Sequence, residues 1–215
     1  MKRDLVVLGA GGFAREVLWL VEDCNANDPM WNLLGFIDEN RELHGRTLCD
    51  VPVLGGIEWL KDKAGIHLIS GVGGNAVRRR FASLGAERGL PFASLVHPDT
   101  RRSRFVEIGE GTVVCAGNIL TTQVRIGRHV NINLDCTVGH DVVIEDFCNI
   151  SPGVHVSGFV QLAEDVDVGT GAVLLPGRKV GRNTTIGAGA VVSTDLPANV
   201  VAVGIPAKVI KTKTP

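Results

Sequence analysis

The pair His140-Asp141 has the residue types for proton transfer in this chain of 215 residues. An imidazole gains and loses a proton near neutral pH, and an adjacent carboxylate can hold its tautomer and raise its basicity. Among the other histidines, His44, His67 and His97 lie outside the repeat described below, and His129 and His155 have no neighbouring carboxylate. His140 is therefore the candidate general base, with Asp141 to orient it.

A glycine-rich loop near the start of the chain has the residue types for holding a phosphate. The apolar run Leu5-Val6-Val7-Leu8 leads into Gly9-Ala10-Gly11-Gly12-Phe13-Ala14, and Asp38 follows later. Glycines let the backbone approach a phosphate, and the start of the next helix favours its charge. The spacing matches the dinucleotide fingerprint in outline. Because roughly 95 residues are few for a complete dinucleotide domain, the loop favours a nucleotide sugar, with NAD as the alternative.

A six-residue repeat in the second half must position the candidate base. Isoleucine, leucine or valine occupies every sixth position from Ile108 to Val192, fifteen positions in all. The residue after each aliphatic is usually small, as in Gly109, Gly127 and Gly139. A period of six fits neither a helix nor the alternation of a strand. It predicts a solenoid of parallel strands with three short faces per turn, hence about 18 residues per coil.

This solenoid predicts the surroundings of His140. Each aliphatic points to a narrow axis, and sheet hydrogen bonds space the coils at roughly 4.8 Å. His140 follows the inward Val138 by two residues and comes after Gly139, one of the small residues that we expect to form the tight corners. Gly158 lies one coil further along and should stack beside His140. It would leave space for a thioester carbonyl, and its N–H could stabilise the oxyanion.

The first half has a different pattern, in which strand, glycine loop and helix recur. Residues 33–37 and 66–69 are apolar runs that end in Asp38-Glu39 and in the glycine-rich segment 71–75, and residues 15–22 have the apolar spacing of a helix. This pattern predicts a small parallel α/β domain. We predict an α/β nucleotide-sugar-binding domain over 1–100, a β-helix acyltransferase domain over 101–195 and a capping segment over 196–215.

The composition excludes several classes of protein. With 22 basic and 23 acidic side chains, the net charge of −1 gives no general field for nucleic acid or an anionic membrane. The apolar run near the amino terminus is too short for a signal peptide or a membrane span. Five cysteines without a CxxC pair indicate free thiols in a reducing cytoplasm, with neither a disulfide nor a metal site. We therefore expect a cytoplasmic protein without metal.

Several motifs occur together along the chain. They are Gly9-Ala10-Gly11-Gly12, Phe36-Ile37-Asp38-Glu39, Gly71-Val72-Gly73-Gly74-Asn75, Val138-Gly139-His140-Asp141 with Ile150-Ser151-Pro152-Gly153, and the closing Val203-Gly204-Ile205-Pro206-Ala207-Lys208. With the repeat, they resemble the hexapeptide-repeat acetyltransferases over essentially the whole chain, in particular the sialic acid O-acetyltransferase and nucleotide-4-amino-sugar N-acetyltransferase subfamily. The resemblance implies a small Rossmann-like α/β domain followed by a left-handed parallel β-helix of hexapeptide repeats. It also implies a homotrimer with acetyl-CoA bound between neighbouring prisms.

The resemblance implies a role for each residue that matches a family motif. His140 matches the general base and Asp141 its orienting acid. The acceptor is implied to meet Gly11, Gly12 and Phe13 in the sugar-nucleotide loop, Asp38 and Glu39 as the pair that reads the base, Gly73 in the second loop, and Asn133 near the sugar. The acetyl-CoA is implied to meet Gly158, the backbones of Thr170 and Ala188, and Asn149.

Asn149 departs from the family pattern, which often has a second histidine at this position. An amide can donate and accept hydrogen bonds but cannot carry a proton, so a single base is expected. The implied reaction is direct acetylation of the 4-amino group of a UDP-, GDP- or dTDP-linked 4-amino-4,6-dideoxysugar, such as a perosamine or bacillosamine precursor. No acyl-enzyme is expected, because Cys136 and Cys148 are predicted at wall positions.

Three alternatives remain open from the sequence. The first is an O-acetyltransferase that acts on sialic acid with the same fold and base. The second is a trimeric scaffold that senses a nucleotide, and the third is an NAD-linked enzyme. The acidic pair Asp38-Glu39 fits the N–H donors of guanine and of uracil, so it does not select the nucleotide.

Overall fold

The structure, a computed structural model, describes residues 2–213, which fall in two compact units, Met1–Pro98 and Asp99–Pro215. The first residue of the predicted α/β domain and the last two of the predicted capping segment lie outside the described residues.

Over residues 2–98, the first unit contains a five-stranded sheet, two α-helices and two short 3₁₀ helices, Arg41–Leu43 and Ile57–Leu60. Its elements are β1 (Arg3–Leu8), α1 (Gly12–Asn27), β2 (Trp31–Ile37), β3 (Thr47–Leu48), β4 (Val51–Gly55), β5 (His67–Ser70), α2 (Asn75–Arg88) and β6 (Leu95–Val96). The sheet order is β3-β4-β2-β1-β5, with β1, β2, β4 and β5 parallel and β3 antiparallel to β4. The predicted parallel α/β architecture is confirmed.

The central strand and its helix follow from the apolar pattern. Leu5, Val6, Val7 and Leu8 are completely buried, as expected for a parallel strand covered on both faces. Helix α1 is longer than the predicted 15–22. Its apolar face stops at Val21, but polar residues continue the hydrogen bonding to the Asp28 N–H, which donates to the Cys24 carbonyl at 2.8 Å. Apolar spacing alone therefore underestimates this helix.

The second unit is a parallel β-helix with three faces. Sheet I contains β7 (Arg101–Arg102), β10 (Ile119–Leu120), β13 (Thr137–Val138), β16 (His155–Val156), β19 (Val173–Leu174) and β22 (Val191–Val192). Sheet II contains β8 (Glu107–Ile108), β11 (Arg125–Ile126), β14 (Val143–Ile144), β17 (Gln161–Leu162) and β20 (Lys179–Val180). Sheet III contains β9 (Val113–Val114), β12 (Asn131–Ile132), β15 (Asn149–Ile150), β18 (Asp167–Val168), β21 (Thr185–Ile186), β23 (Val200–Val203) and the antiparallel β24 (Lys208–Thr212).

Strands in the repeat pair with the strand 18 residues later, as predicted. Thr137 pairs with His155, and Val138 pairs with Val156. The aliphatic positions form a buried ladder along the axis. A second ladder, two residues before the first, was not predicted: Cys136, Val142, Cys148 and Val154 are also completely buried. The axis therefore takes two side chains from each hexad.

The location of the tight corners differs from the prediction. From residue 111 to residue 189, every sixth residue has a positive φ, and this residue is the third after each aliphatic. Gly139 itself has no positive φ. A Cβ at Gly139 would lie 2.6 Å from the Gly158 nitrogen, so its smallness allows close approach of the next coil. The small residues after the aliphatics thus serve coil spacing, and the corner conformation falls two residues later.

Candidate active site

His140 and Asp141 form a hydrogen-bonded pair at the corner between β13 and β14. The distance from His140 Nδ1 to Asp141 Oδ2 is 2.8 Å. Asp141 is the positive-φ residue of its hexad, with φ of 58°, a conformation that aspartate adopts more readily than most residues. This left-handed turn brings the carboxylate back to the preceding imidazole. The pair therefore has the geometry of a histidine whose tautomer is held by an acid.

Gly158 lies directly against the far side of the imidazole. A Cβ at position 158 would be 2.7 Å from both Cε1 and Nε2 of His140. Because the Nδ1 side faces Asp141, Nε2 is the nitrogen next to the backbone of the following coil. Within residues 2–213, no hydrogen bond engages the Gly158 N–H, which is therefore available as a donor beside the base. The predicted stacking of Gly158 on His140 is present in the structure.

Phe159 is a third neighbour of His140 that sequence reasoning missed. The ring centroids are 4.9 Å apart and the rings are almost perpendicular, at 89°. Phe159 has a φ of 62° and remains 56% exposed. The sequence feature that could have identified Phe159 is an aromatic residue at a corner position that usually has glycine, aspartate or asparagine.

A groove of about 540 Å³ runs along the outside of sheet II next to this pair. The sheet II groove is lined by Arg104, Phe105, Glu107, Gln123, Arg125, Asp141, Val143, Phe159 and Gln161. Its size is within the range of small-molecule sites, and its lining combines two exposed aromatic rings with charged and amide groups. The groove therefore has the size and chemistry for a polar ligand with an apolar edge.

Other predicted contacts to acetyl-CoA, and the predicted sugar contact Asn133, lie at or next to a different corner of the same prism. Thr170 and Ala188 are both exposed in the turns that join sheet III to sheet I, and Asn133 begins another of these turns. Asn149 lies on sheet III, in β15. His140 is at the corner between sheets I and II, so within one chain these residues are not brought to the base.

The predicted phosphate loop lies at the carboxyl ends of parallel strands in the first unit. Gly11 precedes the first turn of α1 without a side-chain cap, and Gly11 and Gly12 are exposed. Phe13 is half-buried in this turn, and Gly73 is exposed in the loop after β5. A Cβ at Gly9 would lie 3.3 Å from the Gly71 carbonyl oxygen, so the two glycine loops are adjacent. The arrangement leaves backbone N–H groups at a helix start, which suits an anion.

The acidic pair Asp38-Glu39 makes backbone contacts in the same region. Asp38 accepts from the Ala10 N–H at 2.8 Å and from the Asn40 N–H at 2.9 Å. Glu39 accepts from the Ile57 N–H at 2.9 Å. Each carboxylate oxygen can accept more than one hydrogen bond, so both side chains hold the loops and keep capacity for a ligand.

The cysteines near the base in sequence are buried in the axis. Cys136 lies within 3.2 Å of the Ser151 carbonyl oxygen, and burial raises the pKa of its thiol to about 11. Cys148 is also completely buried and lies 3.1 Å from the Ala163 carbonyl oxygen. Neither thiol is placed to act as a nucleophile at the surface.

Over residues 2–213, no three or more histidine, cysteine, aspartate or glutamate side chains are grouped to hold a metal ion. None of the helices in this range is long and apolar enough to cross a membrane.

Comparison with known proteins identifies similar chains. The family described as the PglD N-terminal domain matches residues 4–84. GDP-perosamine N-acetyltransferase of Escherichia coli O157:H7 is 24% identical over 95% of this chain and 95% of its own length. The acetyltransferase domain of PglB from Neisseria gonorrhoeae FA1090, solved with acetyl coenzyme A, is 32% identical over 98% of this chain and 100% of that chain, with a TM-score of 0.91.

A second solved structure adds the acceptor. A histidine-to-asparagine variant of perosamine N-acetyltransferase from Caulobacter crescentus, in complex with CoA and GDP-perosamine, is 29% identical. The match covers 97% of each chain with a TM-score of 0.89. These similarities show that the solenoid is a left-handed parallel β-helix, as expected.

Proposed function

We propose that the chain acetylates the 4-amino group of a nucleotide-linked 4-amino-4,6-dideoxysugar with acetyl-CoA. It belongs to the hexapeptide-repeat acetyltransferases, in the sialic acid O-acetyltransferase and nucleotide-4-amino-sugar N-acetyltransferase subfamily. The single observation that carries the proposal is the His140-Asp141 pair packed against Gly158. The relatives that bind CoA and GDP-perosamine support this substrate class.

The chemistry follows from the two imidazole nitrogens. Asp141 accepts the Nδ1 hydrogen of His140, which leaves Nε2 unprotonated and free to take a proton. Nε2 removes the proton from the amine as the new C–N bond forms at the thioester carbonyl. The C–S bond then breaks, and the leaving thiolate takes the proton from the imidazolium. The Gly158 N–H is beside this nitrogen and can donate to the carbonyl oxygen as it gains charge.

The site fits acetyl-CoA because the backbone next to Nε2 carries no side chain. A Cβ at Gly158 would lie 2.7 Å from the imidazole, so the glycine is what allows Nε2 to lie against the backbone of the next coil. Buried Cys136 and Cys148 leave direct transfer as the route, without an acyl-enzyme. We assign the binding of the nucleotide to the loops that contain Gly11, Gly12, Phe13, Asp38, Glu39 and Gly73.

A homotrimer accounts for the predicted contacts to acetyl-CoA and to the sugar that lie away from the base. Asn133, Asn149, Thr170 and Ala188 flank the sheet III–sheet I corner, one face away from His140 within a chain. When two prisms pack side by side, this corner of one copy can meet the His140 corner of its neighbour. Light scattering of the purified protein should therefore give the mass of three chains, and a monomer with full activity would contradict this arrangement.

The test of the function compares two histidines. His140→Asn should lower kcat by about 10²- to 10⁴-fold, because a general base is lost, with acetyl-CoA affinity nearly unchanged. His155→Asn is the matched control: His155 is also exposed on the prism, and its Nδ1 lies 2.9 Å from Thr137 Oγ1. The acceptors are UDP-, GDP- and dTDP-linked 4-amino-sugars and free sialic acid, with product measured by mass spectrometry. Acetylation of sialic acid alone, or full turnover by His140→Asn, would overturn the proposal.

A further inference from the structure

Phe159 stands in a backbone conformation that its residue type rarely adopts. Its φ of 62° lies in the left-handed region, which is strained for a bulky side chain. The corner residues with positive φ from 111 to 189 are mostly glycine, aspartate or asparagine. The exceptions are Gln123, His129, Phe147 and Phe159.

Burial of the side chain accounts for the positive φ of Phe147 but not for that of Phe159. Phe147 and His129 lie one coil apart, stack at 5.1 Å and 11°, and are both 6% exposed. The packing of these rings offsets the corner strain. Within a single chain Phe159 is 56% exposed, so packing against its own chain gives it much less compensation. A strained conformation retained at the edge of a candidate active site points to a functional constraint.

The contact that Phe159 makes is with the candidate base. Phe159 occupies the corner one coil after Asp141, and its N–H donates to the His140 carbonyl at 2.9 Å. The perpendicular ring packs on the imidazole with the centroids 4.9 Å apart. A single hydrogen bond at Nδ1 leaves the imidazole free to swing about that bond. A ring packed across it restricts this rotation and keeps Nε2 against Gly158.

We propose that Phe159 is a positioning residue, which holds the plane of the His140 imidazole so that Nε2 stays beside the Gly158 backbone. The effect on turnover rests on the proposed function, whereas the effect on the imidazole does not. Since an edge-to-face aromatic pair has a modest interaction energy, loss of the ring should lower kcat roughly two- to tenfold. The KM for acetyl-CoA should remain unchanged.

Three variants test the proposal. Phe159→Asn removes the ring and suits the left-handed corner, so its melting temperature should stay the same or rise by up to about 4 °C while kcat falls. Phe159→Tyr keeps the ring and should retain wild-type kcat. Phe147→Asn is the matched control at an equivalent corner, where loss of a buried ring should lower the melting temperature and leave kcat of the folded protein unchanged.

A measurement on the protein without substrate tests the positioning role of Phe159 independently of the proposed acetyltransferase activity. Long-range ¹H–¹⁵N NMR of the histidine rings reports the tautomer and mobility of His140, assigned by its loss in His140→Asn. Phe159→Asn should broaden or shift this signal, and Phe159→Tyr should preserve it. An unchanged imidazole signal, an unchanged kcat in an enzyme that turns over, or a loss of kcat accompanied by dissociation of the oligomer would overturn the positioning role.

Discussion

Replacing Gly158 with alanine tests whether the backbone beside His140 must be bare. The new Cβ would lie 2.7 Å from Nε2 and Cε1 of the imidazole, about 1 Å short of an ordinary contact of roughly 3.5–4.0 Å. Gly158 has no positive φ, so the alanine backbone itself is allowed. The imidazole must therefore move by about 1 Å, because the backbone around position 158 is held by the N–H groups of Ser157 and Phe159, which donate to neighbouring coils, and by the Gly158 carbonyl, which accepts from Gly177.

The magnitudes for stability and activity differ widely. Half of the His140 side chain is exposed, at 54%, so the imidazole can rotate outward at little cost to the fold. Loss of its hydrogen bond to Asp141 should lower the free energy of unfolding by about 0.5–1.5 kcal/mol. The alanine should raise it by about 0.4–1 kcal/mol, because it restricts the unfolded chain. The melting temperature should therefore change by no more than about 4 °C. A displacement of about 1 Å at the base should lower kcat by about 10²-fold.

The assay measures CoA release by chromatography, since the exposed Cys49 would react with a thiol reagent. The double variant His140→Ala/Gly158→Ala is the control for the fold, because the clash is absent there. Its melting temperature should match or exceed that of His140→Ala. If Gly158→Ala keeps kcat within twofold of wild type, or if it unfolds the coil, the argument from the close approach of Gly158 to Nε2 is refuted.

Two further predictions concern groups outside the site. Burial raises the pKa of the Cys136 thiol to about 11, so in the native protein at pH 8 a thiol reagent should modify the exposed Cys49 rapidly and Cys136 only after unfolding; a native Cys136 that reacts at the rate of Cys49 would contradict this. Burial, with a contribution from Arg3, lowers the pKa of His67, whose ring packs on Trp31. The unfolded state then binds more protons, so the free energy of unfolding should fall as the pH drops below about 6.5 toward the lower folded-state pKa, and urea titrations of His67→Phe should lack this component.

The placement of the base was predictable because the coil length is fixed by backbone hydrogen bonds. A period of six with three faces determines that residue 158 follows residue 140 by one coil, and the pairing of Thr137 with His155 is of this kind. No side-chain packing has to be known for that inference. The hydrogen bond between His140 and Asp141 was also predictable from local geometry. The two residues are adjacent, and a single turn conformation at Asp141 brings its carboxylate to the imidazole.

The remaining features depend on contacts that a repeat pattern does not specify. The second axial ladder contains polar residues, and Asn118 is buried because its Nδ2 donates to the Cys115 carbonyl at 2.6 Å. The positive-φ position of each hexad could not be recognised from the sequence, because its series of glycine, aspartate and asparagine is interrupted by Gln123, His129, Phe147 and Phe159. The role of Phe159 depends on the direction of its ring, which becomes visible only in three dimensions.

The β-helix register also restricts how this chain can change in length. The pair His140-Asp141 lies in one coil and Gly158 in the next, so the site is joined across the hydrogen bonds between β13 and β16. An insertion of one hexad between them would rotate Gly158 to another face of the prism, although every aliphatic would still point inward. Whole coils added before Thr137 or after Phe159 would preserve the site. Variation in prism height is thus compatible with the same chemistry, whereas the stretch from Thr137 to Phe159 must keep its length.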